Sequence, residues 1–147
     1  MQQLLILVFL GTVSAPALAE DWPQWRGPRR DAVSREVGLL AEWPDGGPPL
    51  AWRAIGVGAG YASVVVRCNR VYTIGQQGTD LFATALLESD GTIVWHRKIG
   101  ETSRNSCSTP TVDGEHLYAL DPDGELICLD LETGDRVVVE TRDISLA

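Results

Sequence analysis

Ala62-Ser63-Val64-Val65-Val66, Arg70-Val71-Tyr72-Thr73-Ile74, Leu81-Phe82-Ala83-Thr84-Ala85-Leu86 and Thr92-Ile93-Val94-Trp95 follow one another as four short apolar runs. The same order returns as Ser108-Thr109-Pro110-Thr111-Val112, Leu117-Tyr118-Ala119-Leu120, Glu125-Leu126-Ile127-Cys128-Leu129-Asp130 and Arg136-Val137-Val138-Val139. Trp52, Trp95 and Val138 stand 43 residues apart, each closing such a unit. Tyr72 matches Tyr118 at an offset of 46, whereas Gly91 matches Gly134 at 43. The difference in length therefore falls in the loop around residues 75–80, which is longer than the loop around residues 121–124, and not in the runs themselves.

Each run is rich in β-branched and aromatic residues and is bounded by Gly, Asp or Asn, which is the pattern of strands joined by tight turns. Asp90-Gly91, Asp113-Gly114, Asp123-Gly124 and Thr133-Gly134 supply residues that tolerate positive φ in such turns. Four strands in a unit of this length match the blade of a β-propeller. Stacked helices would need apolar positions at three- and four-residue spacing over longer stretches, and no such stretch follows residue 20. The fold class expected is all-β.

Residues 1–19 read as a signal peptide. Residues 4–13 are apolar but too few to span a bilayer, and Ala17-Leu18-Ala19 before Glu20 has the small-x-small form of a signal peptidase site. No Cys follows those small residues, which speaks against lipid attachment. The mature chain is thus expected to be exported, to the periplasm or beyond, and not to span a membrane. Export brings cysteines into an oxidising compartment, yet Cys68, Cys107 and Cys128 are odd in number and occupy unlike repeat positions. Cys68 falls in the turn after a first strand and Cys107 just before a first strand, so about a strand length of 17 Å should part them. A disulfide needs Cα atoms within about 7 Å, and no bond between these two is expected. A net charge of −8 favours solubility and disfavours nucleic acid, which would call for a basic face. Arg29-Arg30 beside Asp31 reads as a solvated loop and not as a phosphate site. His96 and His116 lack a second ligand at a metal spacing and read as surface positions at a strand end and a turn.

Ala85-Leu86-Leu87-Glu88-Ser89-Asp90-Gly91-Thr92-Ile93-Val94-Trp95 resembles the tryptophan-docking motif of pyrroloquinoline quinone (PQQ) repeat propellers, Ala-x-Asp-x-x-Thr-Gly-x-x-x-Trp. Ala85, Gly91 and Trp95 are in register, with Leu87 in place of the Asp and Asp90 in place of the Thr. The second copy, residues 128–138, keeps Asp130, Thr133 and Gly134 but has neither the Ala nor the Trp. The leader Asp21-Trp22-Pro23-Gln24-Trp25-Arg26-Gly27-Pro28 is similar to the start of exported PQQ-binding-like propeller proteins. The resemblance covers about residues 21–142 and implies an incomplete β-propeller: two four-stranded blades plus a lone strand of a third, Pro49-Leu50-Ala51-Trp52. Residues 20–60 are then the leader with its closing strand, 61–100 the first blade and 101–147 the second. The remaining strands are expected from further blades, so the chain reads as a truncated gene, a fragmentary gene model or a piece that needs a second chain to close the ring.

A Trp at the end of a fourth strand can lie against the neighbouring blade and seal the seam with its large apolar area. Trp52, Trp95, Gly91, Gly134 and Asp130 are accordingly expected to serve blade docking. The face where propellers usually bind ligands carries Tyr61, Gln76, Gln77, Asp80, Arg104, Asn105, Asp121 and Asp123. Arg104 and Asn105 are the candidates there for contact with an anionic ligand or cofactor, weighed against plain solvation. Asp121-Pro122-Asp123-Gly124-Glu125 has its Gly at the wrong place for a calcium-binding helical hand and reads as a turn. The resemblance implies PQQ as the cofactor to consider, but the adjacent Cys pair of the alcohol enzymes is absent, and no acidic residue aligns with their base or metal ligands. Three readings follow: a noncatalytic exported propeller module binding a protein or another cell-envelope component; part of a PQQ-dependent alcohol or sugar dehydrogenase; or a fragment without function of its own. No catalytic residue and no metal ligand is assigned.

Overall fold

A computed structural model describes residues 20–137. Residues 1–19, with the expected signal peptide, lie outside the described residues, as do Val138 and Val139. Seven strands run in chain order: β1 (Val65–Arg67), β2 (Arg70–Gln77), β3 (Asp80–Leu87), β4 (Ile93–Glu101), β5 (Thr111–Asp113), β6 (His116–Leu120) and β7 (Leu126–Asp130). They form two antiparallel sheets, of order β1-β2-β3-β4 and β5-β6-β7, and the sheets do not close into a ring. Val65, Tyr72 and Ala85 lie opposite one another in the first sheet, and Thr111, Tyr118 and Cys128 in the second. The sequence offsets of the two units thus reappear as matching registers. Cys68 adopts the same left-handed φ, 51°, that Gly114 adopts at 58° in the corresponding turn.

Strand boundaries depart from the apolar runs where hydrogen bonds lead elsewhere. Tyr61 N donates to Ser106 O (2.7 Å) and Ser63 N to Thr109 Oγ1 (3.1 Å), so residues 61–64 bond to the next unit's approach and β1 starts only at Val65. β4 runs on to Glu101 because Asp80 and Leu81 still face it there. Two register shifts leave Val94 and Ile99 unopposed on β4, and bulges of this kind bend a strand and sharpen its twist. The expected lone strand over residues 49–52 is not a strand, because no strand lies beside it among the described residues, and Pro48 and Pro49 bring no N–H to a ladder. Of the second unit's fourth run, Arg136 bridges Leu129 and Val137 N donates to Cys128 O (2.9 Å).

The core lies in the seam between the sheets. One face of the first sheet supplies Val65, Tyr72, Ile74, Leu81, Ala83, Ala85 and Trp95, and the opposing face of the second supplies Val112, Leu117, Ala119, Ile127 and Leu129. The small Ala85 stands directly opposite Trp95, whose indole is 4% exposed and tilted against Tyr72 at 6.0 Å. On the second sheet's other face, Leu120 and Leu126 stand 46% and 63% exposed, whereas Ile74, the counterpart of Leu120, is covered to within 3% by the second sheet. A sheet buried on one face is what stacking of repeats produces.

Two tryptophans bind successive blades in the same way. Trp95 Nε1 donates to Leu131 O at 3.2 Å, and its ring lies so close to Gly134 that a Cβ there would meet Cδ2 at 2.6 Å. Trp52 Nε1 donates to Glu88 O at 2.7 Å, and a Cβ on Gly91 would strike its ring. Both glycines also hold positive φ, 74° and 72°, which a side chain disfavours. Asp130 Oδ1 accepts from Thr133 N (2.8 Å), Thr133 Oγ1 (3.1 Å) and Glu132 N (3.0 Å), fixing the turn that presents Gly134. In the first blade, Asp90 secures the corresponding turn from a different position, accepting from Thr92 N at 2.8 Å.

Trp95→Ala is expected to cost about 3–5 kcal/mol, as for other buried aromatic truncations, and Gly134→Ala to lower the urea midpoint for the steric reason just given. A Trp95→Ala chain that unfolds at the wild-type urea concentration would show that this seam does not carry the fold.

Candidate functional site

The β2–β3 hairpin, the β4–β5 connection and the β6–β7 turn gather at one end of the sheets. Several of their polar side chains bond to the chain's own backbone. Gln76 Nε2 donates to Thr102 O (2.8 Å) and Gln77 Nε2 to Gly56 O (2.7 Å). Buried Asp121 uses Oδ1 to accept from Asp123 N (2.9 Å) and Glu125 N (2.7 Å), closing the turn that the sequence suggested. Arg104 Nη1 donates to Pro122 O (3.2 Å) and its Nε faces Asp123 Oδ1 at 3.6 Å, so this guanidinium clamps the β6–β7 turn. Asn105 is exposed and its carbonyl accepts from Cys107 Sγ at 3.4 Å. The two residues do not converge on a shared pocket: one side chain is committed to a loop and the other has no side-chain partner among the described residues. Beneath them Ser106 Oγ is buried without a hydrogen-bond partner.

His96 lies at β4 with its ring stacked on Phe82 (4.3 Å, 9°) and Nδ1 2.8 Å from Thr84 Oγ1. It is half-buried rather than a simple surface position, and desolvation pulls its pKa below the ordinary histidine value. The Asp130 and Asp90 carboxyls are held below the usual carboxylate range, in each case chiefly by a backbone N–H, that of Thr133 and that of Thr92. Cys68 and Cys107 are exposed free thiols and Cys128 is a buried one. Among the described residues no three of His, Cys, Asp and Glu stand together as a metal-binding group. A groove of about 420 Å³ follows the seam between the Cys68 turn and the turn at residues 130–132. Its Arg70 is tied to Glu132 Oε1 at 2.6 Å, which raises the Arg70 pKa.

Residues 21–23 of the leader, beyond the docking role expected of Trp52, bind both sheets. Trp22 exchanges backbone hydrogen bonds with Val66 (2.8 and 2.9 Å) on the free edge of β1, and Pro23 O accepts from Val112 N (2.8 Å) on β5. Asp21 adds bonds to Cys68 N (3.1 Å) and Arg67 (3.1 Å). Unpaired sheet edges invite association with other chains, and this segment covers both inner ones. Arg29, read as part of a solvated loop, pairs with Glu20 (2.8 Å) and Asp31 (3.5 Å). Arg30 instead lines a second groove, of about 380 Å³, with Gln24, Trp25, Arg26 and Thr111. The density of Trp, Arg, Gly and Pro in residues 22–30 was the available signal, but nothing in the sequence located the strand edges that this segment would meet.

Stacked antiparallel sheets locked by repeated tryptophans define a β-propeller-like repeat protein. The profile of the family described as outer membrane protein assembly factor BamB, a PQQ-repeat family, matches residues 39–145, and the chain belongs to that family. No curated protein matches the chain.

Because the folded His96 takes up a proton less readily than the unfolded chain, only the unfolded state gains one as pH falls through about 6.5. Stability is therefore expected to decline as pH falls below about 6.5, and His96→Asn to flatten that decline. Urea midpoints against pH check this; identical slopes for the two proteins would contradict it.

Proposed function

We propose that the chain is a noncatalytic, exported binding module of the cell envelope, in which Trp52, Trp95, Gly91, Gly134 and Asp130 dock the blades and the loops and leader meet a protein partner. The observation that carries the reading is the internal commitment of the loop-end side chains. Gln76, Gln77, Arg104 and Asp121 each direct a polar atom to the chain's own backbone, whereas a reaction centre needs groups converging on one point. Membership of a family described as an assembly factor is in keeping with a protein partner. Export rests on the Ala17-Leu18-Ala19 site. A role in a PQQ-dependent dehydrogenase is the competing reading, and the following assay separates them.

The purified full chain, supplied with PQQ, Ca²⁺, an alcohol or aldose and an electron-accepting dye, is expected to reduce no more dye than the heat-denatured protein. Substrate-dependent reduction would overturn the noncatalytic reading. Expressed from Met1 in a bacterium, the exported product should begin at Glu20 on N-terminal sequencing; an intact Met1 in the cytoplasmic fraction would refute export.

A further inference from the structure

We propose that residues 24–30 of the leader form a docking site for a short acidic peptide segment of a partner protein, in which Arg26 and Arg30 receive carboxylates and the Trp25 indole covers the adjoining apolar side chain. The proposal deepens the protein-binding reading above and rests on it.

Three observations on the leader converge. The groove beside Thr111 is lined by two arginines, an indole, an amide and a hydroxyl, with no carboxylate among its lining residues. The Arg26 side chain has no ion pair or hydrogen bond among the described residues, and Arg30 uses only Nε, donating to Gln24 Oε1 at 3.0 Å, which leaves its terminal nitrogens free. The neighbouring acids do not neutralise them, because Glu20 and Asp31 are both taken up by Arg29. Trp25 is 61% exposed and lines the same groove as the two arginines. Two guanidiniums with free forks beside an exposed indole suit carboxylates bidentately and an apolar face at once, and Trp and Arg are the side chains that dominate binding at protein interfaces.

The loop also adopts a costly backbone conformation. Arg26, Arg30 and Ala32 take left-handed φ values of 65°, 57° and 61°, which for residues other than glycine persist only where the surroundings fix them. Gly27 N donates to Gln24 O (3.0 Å), Arg30 N to Gly27 O (3.1 Å) and Ala32 N to Arg26 O (3.0 Å). The Trp22 ring packs directly on Gly27, and Trp22 and Pro23 are pinned to β1 and β5. A backbone fixed in this way sets the positions from which Trp25, Arg26 and Arg30 project, which lowers the entropy lost on binding. The charge of the rest of the chain selects the kind of anion. With a net charge of −8, a long polyanion extending beyond the groove would meet more repulsion than a short acidic segment confined to it.

Fluorescence anisotropy of a labelled hexapeptide alternating glutamate and leucine, titrated with the full chain, tests the proposal. Saturable binding that weakens with added salt is expected. Arg26→Gln and Arg30→Gln should each weaken it by at least about tenfold, and Trp25→Ala should weaken it several-fold. Arg53→Gln, at an exposed position outside the groove, should leave it unchanged. Thermal unfolding of each variant is measured in parallel, and Trp25→Ala provides the test should an arginine variant not fold. No binding by the wild-type chain, equal binding by the arginine variants, or arginine-dependent binding of a uronic acid oligomer as tight as that of the peptide would overturn the proposal. None of these results bears on dye reduction, so failure here and failure of the noncatalytic reading are told apart.

Discussion

The constraint at the seam is an indole ring lying directly on a glycine. The flat sheets of the two units have apolar faces that only a neighbouring sheet can cover, and Trp95 spans from one to the next. It donates from Nε1 to Leu131 O and presses its ring against Gly134. The small Ala85 stands opposite the ring, and Asp130 sets the turn that presents Gly134. Arg70, Arg97 and Arg136 reach across the same seam to Glu132, Asp135 and the Ile99 carbonyl. The Arg97–Asp135 pair is exposed, and such pairs add little to stability, so the burial of apolar area decides the packing.

A seam of this kind fixes how sheets stack but leaves their inner edges open, and the leader closes them. One residue of extended backbone at Trp22 and one carbonyl at Pro23 are enough to reach β1 and β5. The segment that performs this also carries the chain's concentration of left-handed, non-glycine backbone. Stability and recognition are thereby coupled in one short stretch: the same anchors that cover the edges hold Trp25, Arg26 and Arg30 towards solvent. The loop end of the sheets, where a propeller usually meets its ligand, is instead knitted to itself through Arg104, Gln76, Gln77 and Asp121.

The candidate site was less legible in the sequence than the fold, and the residues show why. Arg104 and Asn105 look alike in sequence, as polar residues of one loop, but only a folded neighbour reveals that Arg104 is bound to the turn at residues 122–123 while Asn105 is not. His96 looked like a surface residue because an outward position on a strand gives no sign of Phe82 and Thr84 standing opposite it. Arg29 and Arg30 are adjacent, yet one is consumed by Glu20 and Asp31 and the other lines a groove. Pro49-Leu50-Ala51-Trp52 had the composition of a strand and the Trp of the motif, but a strand also needs a partner edge.

The sequence by itself determined the repeat, its strand-forming runs, its turns and the tryptophans that recur at 43 residues, because these follow from local propensity and from periodicity along one chain. Tertiary structure alone decided which edges the leader covers, which arginines stay free and where each strand truly begins, since those outcomes depend on hydrogen-bond partners far away in sequence. Tyr61 illustrates the division: its neighbours read as the start of a strand, and its N–H goes to Ser106 instead. A backbone donor takes the acceptor that folding brings within reach, and no local pattern encodes which one that will be.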